Sequence, residues 1–493
     1  MTFPLRTVLP FFVMIGTAGC DRNPAVAPSP PAMSQPATSQ PARSPSVETV
    51  TQVDPSRPTP QPVVQKSPEP KVAEPVHRPD DDRPRHDDAA LERAGIRKFE
   101  SRRLVLYTDI DEARAVRLPS LVDALYDELS RYFGELPPAR DGSEWQITGY
   151  VMRDTDRFTS AGLVPSNLPS FNHGLNRRRR FWMREQSLDY YLAHLLLHEA
   201  THCFMTTLPA ANGPTWYMEG MAEHFAAHRM TADGALQFRI LPKTPDETAG
   251  FDRVSLIRKE VDARRATSLD EVFDMRDAEF AESIPYAWSW AACHFLDAHS
   301  EYRERFHELG DPAMRSRFRR EFDARFANDG PRLRVQWDHF IHTSCYGYDF
   351  ERALLTLKPG QRVPDDDTHV TVAADRGWQS TGLRLEAGQR YELIATGRFS
   401  LCDVPKPWLS EAGGITIDYA NGRPIGRLLA AVVADDLQAP QAYETLLDPI
   451  DVGGKGTLVA PTSGTLYLRL NDGWDRLADN QGGVTVAVRP IGD

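Results

Sequence analysis

Between Ser187 and Met205 the chain reads SLDYYLAHLLLHEATHCFM, a run with helical spacing and neither proline nor glycine. Ser187 is placed to cap such a helix, and Asp189 suits its first turn. Residues four apart share one helix face. His198 and His202 stand at that spacing, so the fold is tied to a face carrying two imidazoles. Histidines placed this way can both reach one zinc ion, with Glu199 beside the water that the metal activates. HExxH arises by chance in roughly a few per cent of chains this long, so it needs support elsewhere. The competing reading is two surface histidines on an amphipathic helix.

Support comes downstream. Residues 213–223 read GPTWYMEGMAE, and Pro214 marks a helix start. Glu219, with sixteen residues between it and His202, can supply a third ligand and complete a His₂Glu set with one open position. Glu223 falls one turn later on the same face, where a carboxylate can accept the second N–H of a ligand histidine and fix its tautomer. Gly220, beside that ligand, permits close helix–helix approach. Trp216, Met218, Met221 and Phe225 flank the two glutamates and favour burial over a solvated helix face. In such a site zinc is Lewis acid and water activator, while Glu199 takes the proton and passes it to the leaving amine.

HExxH followed by W-x-x-E-G-x-A-E resembles the gluzincin metallopeptidases, in particular an exported bacterial branch with the pattern LLHEATH … PxWYxEGMAE. The resemblance covers roughly residues 99–349. It implies zinc at His198, His202 and Glu219, the general base at Glu199, and Glu223 as the outer partner of a ligand. It also implies a mixed sheet whose edge strand holds a peptide, with the segment around His173 as the candidate. Related enzymes use a tyrosine or histidine from a later helix to donate to the oxyanion. Tyr286, opening the helical stretch Ile284 to His299, is the choice here; Tyr217 and His294 compete. His224, His228 and His299 read as satisfied polar or surface residues.

The rest of the chain frames that segment. Strands are expected at Arg103 to Thr108 and Trp145 to Met152, and an amphipathic helix at Leu118 to Phe133. Arg177 to Arg180 reads as an exposed basic turn. At the N-terminus, Arg6 is the lone charge before an apolar stretch, Val8 to Ile15, and Thr17-Ala18-Gly19 precede Cys20. The run suits a secretory signal. Its end resembles a bacterial lipobox, which implies lipidation at Cys20; the competing reading is a plain cleavable signal. Either way the chain is expected to be exported, and with the lipid it is anchored in the cell envelope. Proline, serine and alanine dominate the next stretch, which cannot bury enough surface to order itself and reads as a semi-rigid spacer. Its acidic run Asp80-Asp81-Asp82 reads as a solvated linker end. Export permits disulfides among Cys203, Cys293, Cys345 and Cys402, but spacing assigns none. A net charge of −12 argues against a nucleic-acid partner.

From Gln361 the text changes to short alternating runs separated by Gly, Asp and Asn: Val370 to Ala374, Leu383 to Leu385, Tyr391 to Thr396, Ile415 to Tyr419, Gly464 to Leu470 and Val484 to Val488. That spacing argues a β-sandwich. The stretch LRLNDGWDRLADNQGGVTVAV, residues 468–488, resembles calcium-dependent galactophilic bacterial lectins and galactose-binding-like sandwiches. The resemblance implies calcium at Asp472, Asp479 and Asn480; oxygen ligands of this kind suit Ca²⁺. A glycan partner is implied with it, although the sugar-contacting loop is not matched. The competing reading is an Asp/Asn turn between two strands.

The expected architecture is multi-domain. A signal segment (1–20) and a disordered linker (21–90) precede an α+β zincin-like metallopeptidase domain (91–355) and an all-β sandwich (356–493). The expected function is an envelope-tethered zinc peptidase acting on peptides or proteins. The alternative is an inactive metallopeptidase-fold adhesin or glycan-binding protein.

Overall fold

The computed structural model describes residues 76–208, 213–364, 366–402, 406–439 and 441–491. The signal segment with Cys20, and the linker to residue 75, lie outside them. The described residues pack as one compact unit. No helix among the described residues is long and apolar enough to cross a membrane.

Packing begins inside the stretch read as linker. Arg78 is buried and donates to the Ser143 carbonyl. Asp81 accepts from Arg83 at 2.7 and 2.8 Å, and Asp82 pairs with Arg179. Asp80 and Asp82 are exposed, as a solvated run requires, but Asp81 is largely covered and the run is tied to the folded body. Arg179, expected on an exposed turn, is buried, and a buried guanidinium needs a counter-charge. Arg178 beside it takes the left-handed turn conformation, φ 57°.

A five-stranded mixed sheet follows, built from β1 (Arg97–Glu100), β2 (Leu104–Thr108), β3 (Ile147–Met152), β4 (Gly174–Arg177) and β5 (Arg180–Arg184) in the order β1-β2-β3-β5-β4. The β2–β3 and β3–β5 pairs are parallel; both outer pairs are antiparallel. Side chains alternate between two cores. Leu104, Leu106, Phe181 and Met183 belong to the helical core; Val105, Tyr107 and Trp182 belong to a smaller cluster on the other face.

Helix α1 (Leu118–Phe133) packs on α2 (Asp189–Met205). Every α2 residue from Leu192 to Met205 is buried, because α1, β4, β5 and the next helix, α3 (Thr215–Ala226), all contact it. Ser187 does not cap α2. Leu188 holds the cap position with no side-chain hydrogen bond. Asp189 in the first turn is paired instead with Arg114 at 2.7 Å and Arg117 at 3.3 Å. Helix α5 (Ser283–Ala298) packs on α3, α4 (Arg253–Asp262) packs on α5, and α6 (Gly330–Thr343) leads toward the all-β part.

That part contains β6 (Thr368–Ala373), β7 (Gln379–Leu385), β8 (Arg390–Thr396), β9 (Gly413–Ala420), β10 (Arg423–Ala434), β11 (Lys455–Val459), β12 (Gly464–Leu470) and β13 (Gln481–Ile491). One antiparallel sheet runs β9-β10-β12-β7 and another β11-β8-β13-β6. Both supply one core, for example Leu428 and Leu466 against Leu393 and Val486. Strand β10 is buried on both sides. Leu428, Ala430 and Val432 enter this core, while Leu429, Ala431 and Val433 join the helical core. Cys203, Cys293 and Cys345 are unbridged thiols.

Candidate metal centre

The two histidines of α2 and Glu219 of α3 converge. His198 Nε2 lies 3.1 Å from His202 Nε2 and 3.3 Å from Glu219 Oε2; His202 Nε2 lies 3.2 Å from the same oxygen. Three ligand atoms thus form a nearly equilateral triangle. A tetrahedral zinc ion with bonds of about 2.0–2.1 Å sets its ligand atoms about 3.3 Å apart, so these residues fit that ion. A chain of hydrogen bonds would not require all three separations to be equal. Both imidazoles are buried, while the Glu219 side chain keeps 19% exposure, which opens the triangle on that side. This is the one such cluster among the described residues.

The electrostatics favour a positive charge at this point. Burial by itself would lower His198, but the Glu219 and Glu223 carboxylates, 3.3 and 3.2 Å away, outweigh it and hold it up at about 10. Burial opposes charge on Glu219 too, yet the two imidazoles hold it well below the ordinary carboxylate range.

Glu223 lies behind His198. Its Oε1 is 3.2 Å from His198 Nδ1, somewhat out of line for a strong hydrogen bond. His194 Nε2 reaches Glu223 Oε2 at 3.0 Å, and Arg253 grips the carboxylate with both arms at 2.7 and 2.8 Å. His194 and Arg253 were missed in the sequence. His194 was visible in principle, since 194, 198 and 202 repeat at helical spacing. Arg253 left no local signal.

Glu199 is buried beside the triangle, and desolvation raises its pKa above the ordinary range. It abuts edge strand β4 so closely that a Cβ on Gly174 would sit 2.3 Å from Glu199 Oε1. Only glycine leaves room for the carboxylate there. The expected edge strand near His173 is thus β4, starting one residue later.

Of the three candidate oxyanion donors, Tyr286 faces a ligand, its ring centroid 6.2 Å from that of His198. Arg253 passes 5.8 Å from the same ring. Tyr217 is buried among Trp216, Phe306 and Phe318. His294 stacks on Trp290. His224 instead joins a buried polar cluster, 3.1 Å from Asp297, which also accepts from Arg239 at 2.8 Å and Tyr132 at 3.0 Å.

In the β part, Asp472 and Asn480 meet: Asn480 Nδ2 donates to Asp472 Oδ2 at 3.0 Å. Asp472 Oδ1 accepts from the Gly473 amide at 2.7 Å and faces Arg476 at 3.4 Å. Asp479 is exposed and does not join them. Donors already face both Asp472 oxygens, which leaves neither free for a calcium ion.

No protein-family model matches the chain, and no curated protein matches it. Among solved structures, the EclA N-terminal domain, a PllA-like lectin, aligns at 23% identity over 25% of this chain and 95% of its own, with a TM-score of 0.20. The IMPa metallopeptidase from Pseudomonas aeruginosa aligns at 13% identity over 78% of this chain, with a TM-score of 0.16. This chain spans 46% of that protein's length. Both similarities are too weak to assign a fold or an activity.

Proposed function

We propose that this chain is a zinc-dependent peptidase of the bacterial cell envelope. The observation that carries the reading is the triangle of His198, His202 and Glu219 with Glu199 at its side and an edge strand against Glu199. Zinc held by those three residues would supply Lewis acidity to a polarised carbonyl and to water. Glu199 accepts a proton from the attacking water at its carboxylate and returns it to the leaving nitrogen. Its buried setting suits both steps, because a carboxylate with a raised pKa gives up a proton as well as taking one. Glu223, braced by Arg253, fixes the orientation of His198. The outer edge of β4 offers backbone groups to an extended peptide, which would lie across Glu199 by strand addition. Tyr286 is the candidate donor to the oxyanion. Envelope attachment rests on the sequence around Cys20, and a glycan partner for the β part on the lectin-like pattern of residues 468–488.

The test is incubation of the chain with a diverse peptide mixture, read by mass spectrometry, beside Glu199→Gln. Cleavage by the parent and none by the variant, with zinc bound in both, supports a peptidase. Zinc at one per chain and no cleavage by either would turn the reading toward an inactive binding protein.

A further inference from the structure

A cavity of about 520 Å³ lies between the helices and the β9-β10-β12-β7 sheet. No metal-centre residue lines it. Its charged wall comes from several elements: Arg258 of α4, Arg423 of β10, Arg469 of β12 and Arg476 of the loop that follows. Asp475 is the single carboxylate among its described lining residues. This positive wall stands in a chain whose net charge is −12.

Three of the four arginines have carboxylate partners outside the cavity. Arg258 holds Asp262 at 3.1 Å, Arg423 holds Asp448 at 3.1 Å, and Arg476 holds Asp418. Those partner side chains are 68%, 91% and 38% exposed, so water screens these three pairs. Arg476 also faces the buried Asp472 carboxylate at 3.4 Å, while Arg258 and Arg423 remain able to share another anion. Arg469 is different. It is 2% exposed, its Nη2 donates only to the Asp472 carbonyl at 2.8 Å, and its Nε has no partner. The guanidinium carbon lies 3.8 Å from the Trp474 ring centroid. Burial pushes Arg469 down to about 10, and the nearby Asp472 carboxylate, which makes no ion pair with it, offsets only part of that cost. The wall is also held in place: Asn471 Nδ2 donates to the carbonyls of Ala420, Arg423 and Pro424 at 3.0–3.1 Å.

We propose that this cavity binds a ligand of monosaccharide size that carries an oxyanion, a carboxylate or a sulfate, with Arg469 supplying the counter-charge. The planar guanidinium fork matches either group. The volume suits a small organic molecule and far exceeds a bare anion.

Calorimetric titration of the full chain tests this with glucuronate, galactose 6-sulfate, glucose and inorganic sulfate, all at one ionic strength. Saturable binding of glucuronate or galactose 6-sulfate is expected, and which of the two binds separates the carboxylate from the sulfate. Glucose should not bind. Arg469→Met should weaken the affinity by about tenfold or more, the loss expected for a charge-assisted hydrogen bond. Arg423→Gln and Arg476→Gln, nearer the surface, should each weaken it severalfold and keep the test decisive if Arg469→Met does not fold. The proposal falls if no acidic sugar binds, if glucose binds as well, if only inorganic sulfate binds, or if the folded variants keep parental affinity. None of these readouts depends on zinc or on peptide cleavage, so failure here and failure of the peptidase reading are separate results.

Discussion

Arg253 gives both arms to Glu223, and Glu223 faces His198 and His194. Removing the guanidinium would leave a buried carboxylate held by histidines alone and would loosen the outer side of His198. Arg253→Met is therefore expected to lower zinc affinity by about 10- to 100-fold, read by competition with a chelator. Arg253→Lys should recover part of the loss. Unchanged affinity in a folded Arg253→Met would show that the pair serves packing only. The contrast between residues explains what could be read in advance. His198, Glu199 and His202 are legible because a helix turns sequence spacing into spatial alignment, and Glu219 and Glu223 because a second helix does the same. Arg253 and Gly174 come from segments whose distance to the site is set only by tertiary packing. No local pattern announces them.

Elements explain why the site closes as tightly as it does. On α3, Gly220 lies against α5 so closely that a Cβ would come within 2.4 Å of the Ser289 carbonyl oxygen and 2.6 Å of Cys293 Sγ. The approach was legible from a glycine beside a ligand. Gly220→Val forces the helices apart and should cost about 1–3 kcal/mol, measured as a fall in the urea midpoint at constant slope. Because Glu219 is the neighbouring residue, zinc affinity should fall in the same variant; a stable protein with parental affinity would refute the close contact. Strand β10 shows the opposite case. It is the longest strand in the described chain, yet the alternating pattern that revealed its neighbours is missing from RPIGRLLAAVVA. Alternation marks a strand with one wet face. With both faces covered, every position from Leu428 to Ala434 is apolar and the period of two disappears.

Across the whole molecule, buried histidines couple stability to pH. His339 packs against Trp474 with rings 5.1 Å apart, where helix α6 meets the β part. Burial, with Arg469 and His342 nearby, lowers it to about 3, and burial likewise lowers His299 to about 3. Unfolded histidine titrates near ~6.5. Between those values the unfolded chain binds more protons than the folded one. The contribution is thus fully present above about pH 6.5 and is lost as pH falls toward 3, by about 1.4 kcal/mol per pH unit for each such histidine. His339→Gln should flatten the dependence of the urea midpoint between pH 7 and pH 5; a parental slope would exclude this residue as the source. Heating should give one calorimetric transition, because the helical core contains residues from both parts of the packed chain. Two resolved peaks would contradict that continuity.

The two-sided burial of β10 has a consequence for descent. Leu429, Ala431 and Val433 are fitted to the helical body, so the all-β part cannot be traded for a cousin as an interchangeable module. A recombinant joining it to another helical body would inherit a sticky, mismatched stripe. Substitutions along that stripe must instead be matched, generation by generation, by changes in the helices that cover it.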